Sequence, residues 1–290
     1  MNQVSQDSFT PFPGISAQVY SRADFEAVRD IVYNIAGIVL PTGKATLVYS
    51  RLAPLVRDSG QQTFSRFIEF IKKDEAARRK TINALTTNHT FFYRENHHFE
   101  HLASEVRPML LEKIRSRQPV RIWSAGCSTG EELYSLTMTL FGPDKAAARP
   151  FMEGNLAILA TDLADHAVAG AKAATYPLEA LKDVPSALTN AWVKREDDMA
   201  IIAPELRAKI HVKRLNLLGD WPMNKQFDVI FCRNVMIYFD QPTKDRLVAR
   251  FADQLLPGGH LYIGHSERVA GPAQTVLTLV GSTIYRKDRM

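Results

Sequence analysis

Residues 121–135, RIWSAGCSTGEELYS, restrict the fold more than any other part of this chain. Val120 to Trp123 is a short β-type run, Gly126 and Gly130 bracket a turn of small residues, and Leu133, Tyr134, Leu136, Met138 and Leu140 carry helical periodicity. Glu131 and Glu132 fall in the first turn of that helix, where the helix dipole favours acids. A strand that feeds a glycine turn and then a helix presents free backbone N–H groups to a ligand, as nucleotide-type cofactor sites do.

From Val120 onward, apolar runs at 120–125, 156–161, 210–214, 227–232 and 260–264, with a last one near 283–286, alternate with helical segments. That is the pattern of an α/β fold with a parallel sheet and crossover helices. The segment 176–204 is too long for an ordinary connection and predicts an insertion, in which 192–194 and 199–202 flank a charged tip and read as a small β hairpin. In an open parallel sheet the ligand lies beyond the carboxyl ends of the strands. Those ends are polar here: Ser124-Ala125-Gly126, Asp162, Asn216-Leu217 and Arg233-Asn234. Asp162 is suited to accept hydrogen bonds from two ribose hydroxyls. The turn GCSTG fits neither G-x-G-x-x-G nor the P-loop, and no lysine follows its second glycine. Glu131 and Glu132 would repel a pyrophosphate but suit a cofactor that carries an ammonium and a sulfonium and no phosphate, which points to S-adenosyl-L-methionine.

The N-terminal third reads differently. Segments 22–36, 44–57, 63–71 and 74–86 predict helices, with Ser21 as an N-cap, an end near Gly37 and a break at Pro54. The first fourteen residues are polar and contain prolines; they read as a mobile start without the basic head and apolar run of a signal peptide. No run approaches the ~18 apolar residues of a membrane span, and two cysteines make no disulfide framework, so a cytoplasmic location is expected. Cys127 and Cys232 read as small buried hydrophobes rather than nucleophiles. The formal net charge is +5, and between Lys44 and Lys80 nine Lys/Arg face four Asp/Glu, so the basic excess belongs to the helical third and suits an acidic partner. Residues 87–101 form a polar, aromatic junction; His97, His98 and His101 lack companion ligands of suitable spacing, and no metal is expected.

Four segments, TTNHTFFYRENHHF (86–99), WSAGCSTGEELYS (123–135), FDVIFCRNVMIYFD (227–240) and LPGGHLYIGHSE (256–267), resemble the chemotaxis receptor methyltransferase family, CheR, in order and over most of the chain. The resemblance implies an N-terminal helical domain (1–86), an interdomain segment with the first catalytic helix (87–118), and a Rossmann-like methyltransferase domain (119–290) with an inserted β subdomain at about 176–204. It implies methylation of glutamate side chains on chemoreceptors by S-adenosyl-L-methionine, which gives glutamate methyl esters and S-adenosyl-L-homocysteine. By residue, it implies Asn88, Thr90 and Arg94 against the cofactor, Glu132 near the methionine ammonium and Asp162 on the ribose. Asn216 and Leu217 would border the adenine, and Arg233, Asn234 and Tyr238 would line the methyl end, with Arg94 and Tyr238 orienting the acceptor.

Lys44, Arg51 and Arg57 lie in the region that resembles the receptor-facing helix of the family, so the implied partner is the glutamate-rich cytoplasmic helix of a receptor rather than nucleic acid or a membrane. Some members use glycines in the inserted hairpin to add a receptor's C-terminal peptide as an edge strand; Arg195 to Ile202 contains none, which argues against such a tether here. The competing readings are a methyltransferase acting on nucleic acid or a small molecule, and a non-catalytic adaptor that binds cofactor or receptor. The chain lacks an Asn/Asp-Pro-Pro-aromatic motif for amine methylation, and Cys232 lacks a prolyl neighbour.

Overall fold

The computed structural model describes residues 15, 16 and 18–288; the reading of the first fourteen residues lies outside them. The chain divides into two compact units, one reaching to Thr87 and including Tyr238–Asp240, the other comprising Asn88–Ile237 and the residues from Gln241 onward.

The first unit is helical: α1 (Arg22–Ala36), α2 (Ala45–Asp58), α3 (Phe64–Lys73) and α4 (Glu75–Leu85). Ser21 and Asp24 form a reciprocal capping box at the start of α1, and Gly37, at φ 68°, ends it. The spacing of Phe25, Val28 and Val32 buries one face of α1 with Val48, Leu52, Phe64, Phe67 and Ile71. Ser65 on α3 donates to Asp24 Oδ1 at 2.7 Å, joining α3 to the start of α1. The expected break at Pro54 is corrected: α2 runs unbroken from Ala45 to Asp58. Ser50, whose carbonyl loses its amide partner to the proline, is exposed, so water can take the place of the missing donor. The sequence-distant segment Tyr238–Asp240 joins this unit through Val39 N to the Tyr238 carbonyl (2.8 Å) and the Tyr33 hydroxyl to Asp240 Oδ2 (2.6 Å).

The second unit opens with α5 (His97–His101), which passes through a π-helical turn at Leu102–Val106 into α6 (Arg107–Arg115). Its strands are β1 (Val120–Ala125), β2 (Leu156–Asp162), β3 (Thr175–Pro177), β4 (Val193–Glu196), β5 (Met199–Ile202), β6 (Ile210–Arg214), β7 (Phe227–Cys232), β8 (Leu255–Ile263), β9 (Leu277–Gly281) and β10 (Ile284–Lys287). The helices between them are α7 (Glu131–Phe141), α8 (Lys145–Glu153), α9 (Asp165–Ala173), α10 (Ser186–Trp192), α11 (Pro204–Arg207) and α12 (Gln241–Gln254). Seven strands form one sheet in the order β6-β2-β1-β7-β8-β10-β9, parallel except for β10, which runs antiparallel to both β8 and β9. Every residue of β7 is buried, which is why it reads as an apolar run rather than an alternating one; its one charge, Asp228, is met by Lys113 and by Arg121 N. The strand order reverses at β1, whose neighbours are β2 and β7, and crevices for ligands open at such a switch point.

The expected insertion is a three-stranded antiparallel sheet, β3-β5-β4, that includes the predicted hairpin; left-handed Asp197 (φ 47°) sits in its turn. The sequence pattern did not reveal β3, which has only three residues. The final strand pair is also longer than expected: β8 begins at Leu255 rather than 260, and β9 precedes the run near 283–286.

Candidate active site

The turn after β1 is held by its backbone. Gly126 N and Cys127 N donate to the Thr161 carbonyl at 2.7 and 2.9 Å, and Gly130 N donates to the Cys127 carbonyl at 3.0 Å. Gly126 (φ 81°) and Gly130 (φ 104°) occupy backbone regions that disfavour side chains, and neither has room for one. A Cβ at Gly126 would stand 2.4 Å from Val235 Cγ2, and one at Gly130 would stand 2.7 Å from the Tyr176 hydroxyl. Tyr176, on β3 of the inserted sheet, donates that hydroxyl to the Thr129 carbonyl at 2.8 Å, so the insertion braces the turn.

Asp162 closes β2 beside this turn and is 8% exposed. Its Oδ2 accepts from Ser128 N and its Oδ1 from Ala164 N, both at 2.9 Å, so the carboxylate anchors two backbone segments with one lone pair on each oxygen already engaged. Burial raises its pKa against the pull of those amides. Leu215 N donates to the Asp162 carbonyl at 2.9 Å, which brings Asn216 and Leu217 next to it. Asn216 Oδ1 caps its own turn by accepting from Leu218 N, and the Leu217 carbonyl takes donors from Trp221 and Arg250 while its side chain is buried.

Glu132, in the first turn of α7, accepts from Ser124 Oγ at 2.9 Å and pairs with Arg233 Nη1 at 3.2 Å. Arg233 follows β7 and is buried: its Nη2 lies 3.4 Å from Glu95 Oε2 and also donates to the Arg94 carbonyl, while its guanidinium covers the Phe99 ring at 5.3 Å. Asn234, left-handed at φ 58°, donates its side-chain amide to Glu95 Oε1 at 3.1 Å and its backbone amide to Glu267 Oε2 at 3.2 Å. Glu267 also accepts from Gly264 N at 2.6 Å, which ties the end of β8 to the end of β7. Burial raises the carboxyls of Glu132 and Glu267.

The segment before α5 completes the site in this unit. Asn88 is half-buried, and its Oδ1 is a buried atom without a hydrogen-bond partner. Its carbonyl accepts from Ser128 Oγ at 3.3 Å, which brings it to the glycine turn. Thr90 is half-buried. Arg94 lies between two left-handed residues, Tyr93 (φ 56°) and Glu95 (φ 58°). One guanidinium nitrogen donates to the His89 carbonyl at 2.9 Å, the guanidinium lies 5.8 Å from the Phe91 ring, and its remaining donors have no partner among the described residues. Tyr93 N donates to Ser135 Oγ on α7 at 2.9 Å, which fixes the base of this turn.

The remaining sequence-selected residues have local partners of their own. Tyr238 belongs to the helical unit, where its hydroxyl donates to the Thr87 carbonyl at 3.3 Å. Lys44 and Arg57 are exposed, whereas a single nitrogen of Arg51 donates to the Leu85 and Thr86 carbonyls and to Thr87 Oγ1, capping the end of α4. His97 and His98 both meet the Ser282 carbonyl, and His101 pairs with the Tyr262 hydroxyl. Both cysteines are fully buried, and burial pushes their thiols well above the usual range, as suits packing rather than nucleophilic attack. Sequence reasoning gave no role to Glu95, His265 or Glu267, although each lies in a segment that carried the resemblance.

These groups fit a cationic, phosphate-free nucleoside. Arg233 meets Glu95 and Glu132, while Asp162 closes β2 and Glu267 is bonded to the loop after β7, so these strand ends carry an acidic excess that an ammonium and a sulfonium would offset. The orphaned Asn88 oxygen adds an acceptor for a ligand donor. A switch-point crevice with a glycine turn and this charge defines a Rossmann-like S-adenosyl-L-methionine-dependent methyltransferase.

The comparisons with known proteins carry this further. The SAM binding domain of CheR methyltransferase matches residues 88–286, and the CheR methyltransferase all-alpha domain matches residues 23–86. A probable chemotaxis protein methyltransferase of Rhizobium etli is 43% identical over 88% of this chain and 96% of its own length. Chemotaxis protein methyltransferase 2 of Pseudomonas aeruginosa is 38% identical over 95% and 98%, and the Escherichia coli chemotaxis protein methyltransferase is 35% identical over 91% of each chain. The chain belongs to the CheR methyltransferase family. Its cofactor is S-adenosyl-L-methionine, and its activity is methylation in chemotaxis. Among the described residues no helix is long and apolar enough to cross a membrane.

Proposed function

We propose that this chain transfers a methyl group to glutamate side chains on chemoreceptors, forming glutamate methyl esters for sensory adaptation in the cytoplasm. The observation that carries this reading is Arg94, a half-buried guanidinium with free donors, held in a rigid turn next to the acidic crevice. A guanidinium with free donors recognises a carboxylate. S-adenosyl-L-methionine, when bound, supplies an electrophilic methyl carbon on its sulfonium. Asn88, Thr90, Glu132, Asp162, Asn216, Leu217, Arg233 and Asn234 hold the cofactor, with the buried carboxylates answering its cations.

A glutamate side chain has an unperturbed pKa of about 4.3, so at neutral pH the acceptor is already a nucleophilic carboxylate and no general base is required. Arg94 orients that carboxylate, and the site's contribution is alignment and exclusion of water. Lys44 and Arg57, exposed on the helical unit, draw in the acidic receptor helix. The names of the relatives, chemotaxis protein methyltransferases, support a receptor as acceptor.

The test incubates the protein with labelled methyl donor and receptor and then applies mild base. Release of the label as methanol is the expected result. Label that resists base points to amine methylation, and no transfer points to an adaptor; either outcome overturns the proposal. Arg94→Ala should lower turnover about a hundredfold, equivalent to ~2.7 kcal/mol of barrier.

A further inference from the structure

One carboxylate in the second unit gathers three separate loops. Glu95 Oε1 accepts from Asn234 Nδ2 at 3.1 Å, in the loop after β7, and pairs with His265 Nδ1 at 2.7 Å, in the loop after β8. Its Oε2 lies 3.4 Å from Arg233 Nη2. That same nitrogen donates to the Arg94 carbonyl, so the backbone of the Arg94 turn is bonded to the cation that Glu95 holds. The Glu95 side chain is 11% exposed. Burial alone would raise its pKa, yet the His265 bond, the Arg233 guanidinium and the Asn234 amide together bring it down to about 2, so it is charged throughout the physiological range.

The backbone shows that this arrangement is held against a local cost. Tyr93 and Glu95, on either side of Arg94, are both left-handed, a conformation that is unfavourable for a non-glycine residue. Two such residues flanking a third persist only where the surroundings determine them. Two anchors are available. Tyr93 N is bonded to Ser135 on α7, and Glu95 is bonded to the ends of β7 and β8.

We infer that Glu95 is a positioning residue of the transferase: through Arg233, Asn234 and His265 it locks the Arg94 turn to the ends of β7 and β8, and so sets where the Arg94 guanidinium meets the acceptor. For its catalytic consequence this rests on the methyl-transfer reading above. The locking itself is measured without any acceptor.

The test is Glu95→Gln, which keeps size and one acceptor but removes the charge, compared with the full-length wild type by hydrogen–deuterium exchange, thermal melting, S-adenosyl-L-homocysteine titration and steady-state methyl transfer. Exchange should rise at least tenfold in 89–96 and 233–238 and stay unchanged in β1 and α7. Turnover should fall at least thirtyfold, by a larger factor than the affinity for S-adenosyl-L-homocysteine falls. Wild-type exchange in both segments overturns the inference, as does a rise spread over the whole unit with a lost melting transition, which would mark a general structural role. His265→Ala acts from an exposed position that does not threaten folding, and should raise exchange in the same two segments two- to fivefold; no change there also overturns the inference. A wild type that makes no base-labile ester refutes the methyl-transfer reading and leaves the exchange result to decide the role of Glu95 in the loops.

Discussion

Arg233 Nη1 lies 3.2 Å from Glu132 Oε2, and this ion pair joins the end of β7 to the first turn of α7 at the point where the strand order reverses. The side chains are 1% and 12% exposed. At such burial the pair is worth less for net stability than for keeping each charge from being left alone.

Replacing Glu132 by Gln should therefore weaken both fold and site. Breaking a buried pair costs about 3–5 kcal/mol, and because Arg233 keeps Glu95 the expected loss is at the lower end, about 3 kcal/mol. Urea unfolding of the cofactor-free protein measures it. Calorimetric titration with S-adenosyl-L-homocysteine should show at least tenfold weaker binding.

Gly126→Ala tests the turn itself. The left-handed φ adds about 1–2 kcal/mol, and the added methyl meets Val235 Cγ2 at 2.4 Å. Overpacking of this kind adds about 1–3 kcal/mol. Val235→Ala in the same chain removes the contact but not the backbone cost, so melting temperature and cofactor affinity should recover in part.

Cofactor affinity should depend on pH at values above those of ordinary carboxylates. Burial raises Glu132, whose ionised form attracts the ammonium, and Asp162, whose ionised form is the stronger acceptor for ribose hydroxyls. Affinity therefore declines as pH falls through the raised values. Binding favours the ionised carboxylates, so in mildly acidic buffer it should release protons. Titration in two buffers of different ionisation enthalpy detects that release, and an absence of proton release at mildly acidic pH would show that these carboxylates do not meet the cofactor.

Arg51 and Arg57 should separate by phenotype. Arg51→Ala removes the donor that caps α4 and should destabilise the helical unit by about 1–2 kcal/mol, seen as a lower melting temperature. Arg57→Ala should leave melting unchanged and instead reduce the salt sensitivity of receptor methylation. Equal effects of the two substitutions on stability would contradict this division.

Much of the second unit was legible because of where its strands lie. A strand buried on both faces is mostly apolar, so β1 and β7 stand out despite Arg121, Ser124 and Asp228, and the Arg233-Asn234 pair directly after β7 marks the ligand end of the sheet. The cationic nature of the cofactor was legible from Glu131 and Glu132 and the missing lysine. β3 was not, because a three-residue strand is defined by its pairing with β5 rather than by periodicity. Nor was the continuity of α2 through Pro54, which depends on which face of the helix meets water.

Glu95 shows the limit most clearly. Its partners Asn234 and His265 are 139 and 170 positions away, so no local pattern could reveal that one carboxylate closes three loops. Composition likewise counts Arg51 and Arg233 among cations free for a partner, whereas one caps α4 and the other is buried between Glu95 and Glu132. By itself the sequence determined most of the elements, the mainly parallel sheet and the class of cofactor, since periodicity, turn chemistry and charge sign act over a few residues. Only the tertiary structure decided which charges remain available to ligands. A charge buried in a medium of low dielectric must be met by another, and folding chooses that partner without regard to distance along the chain.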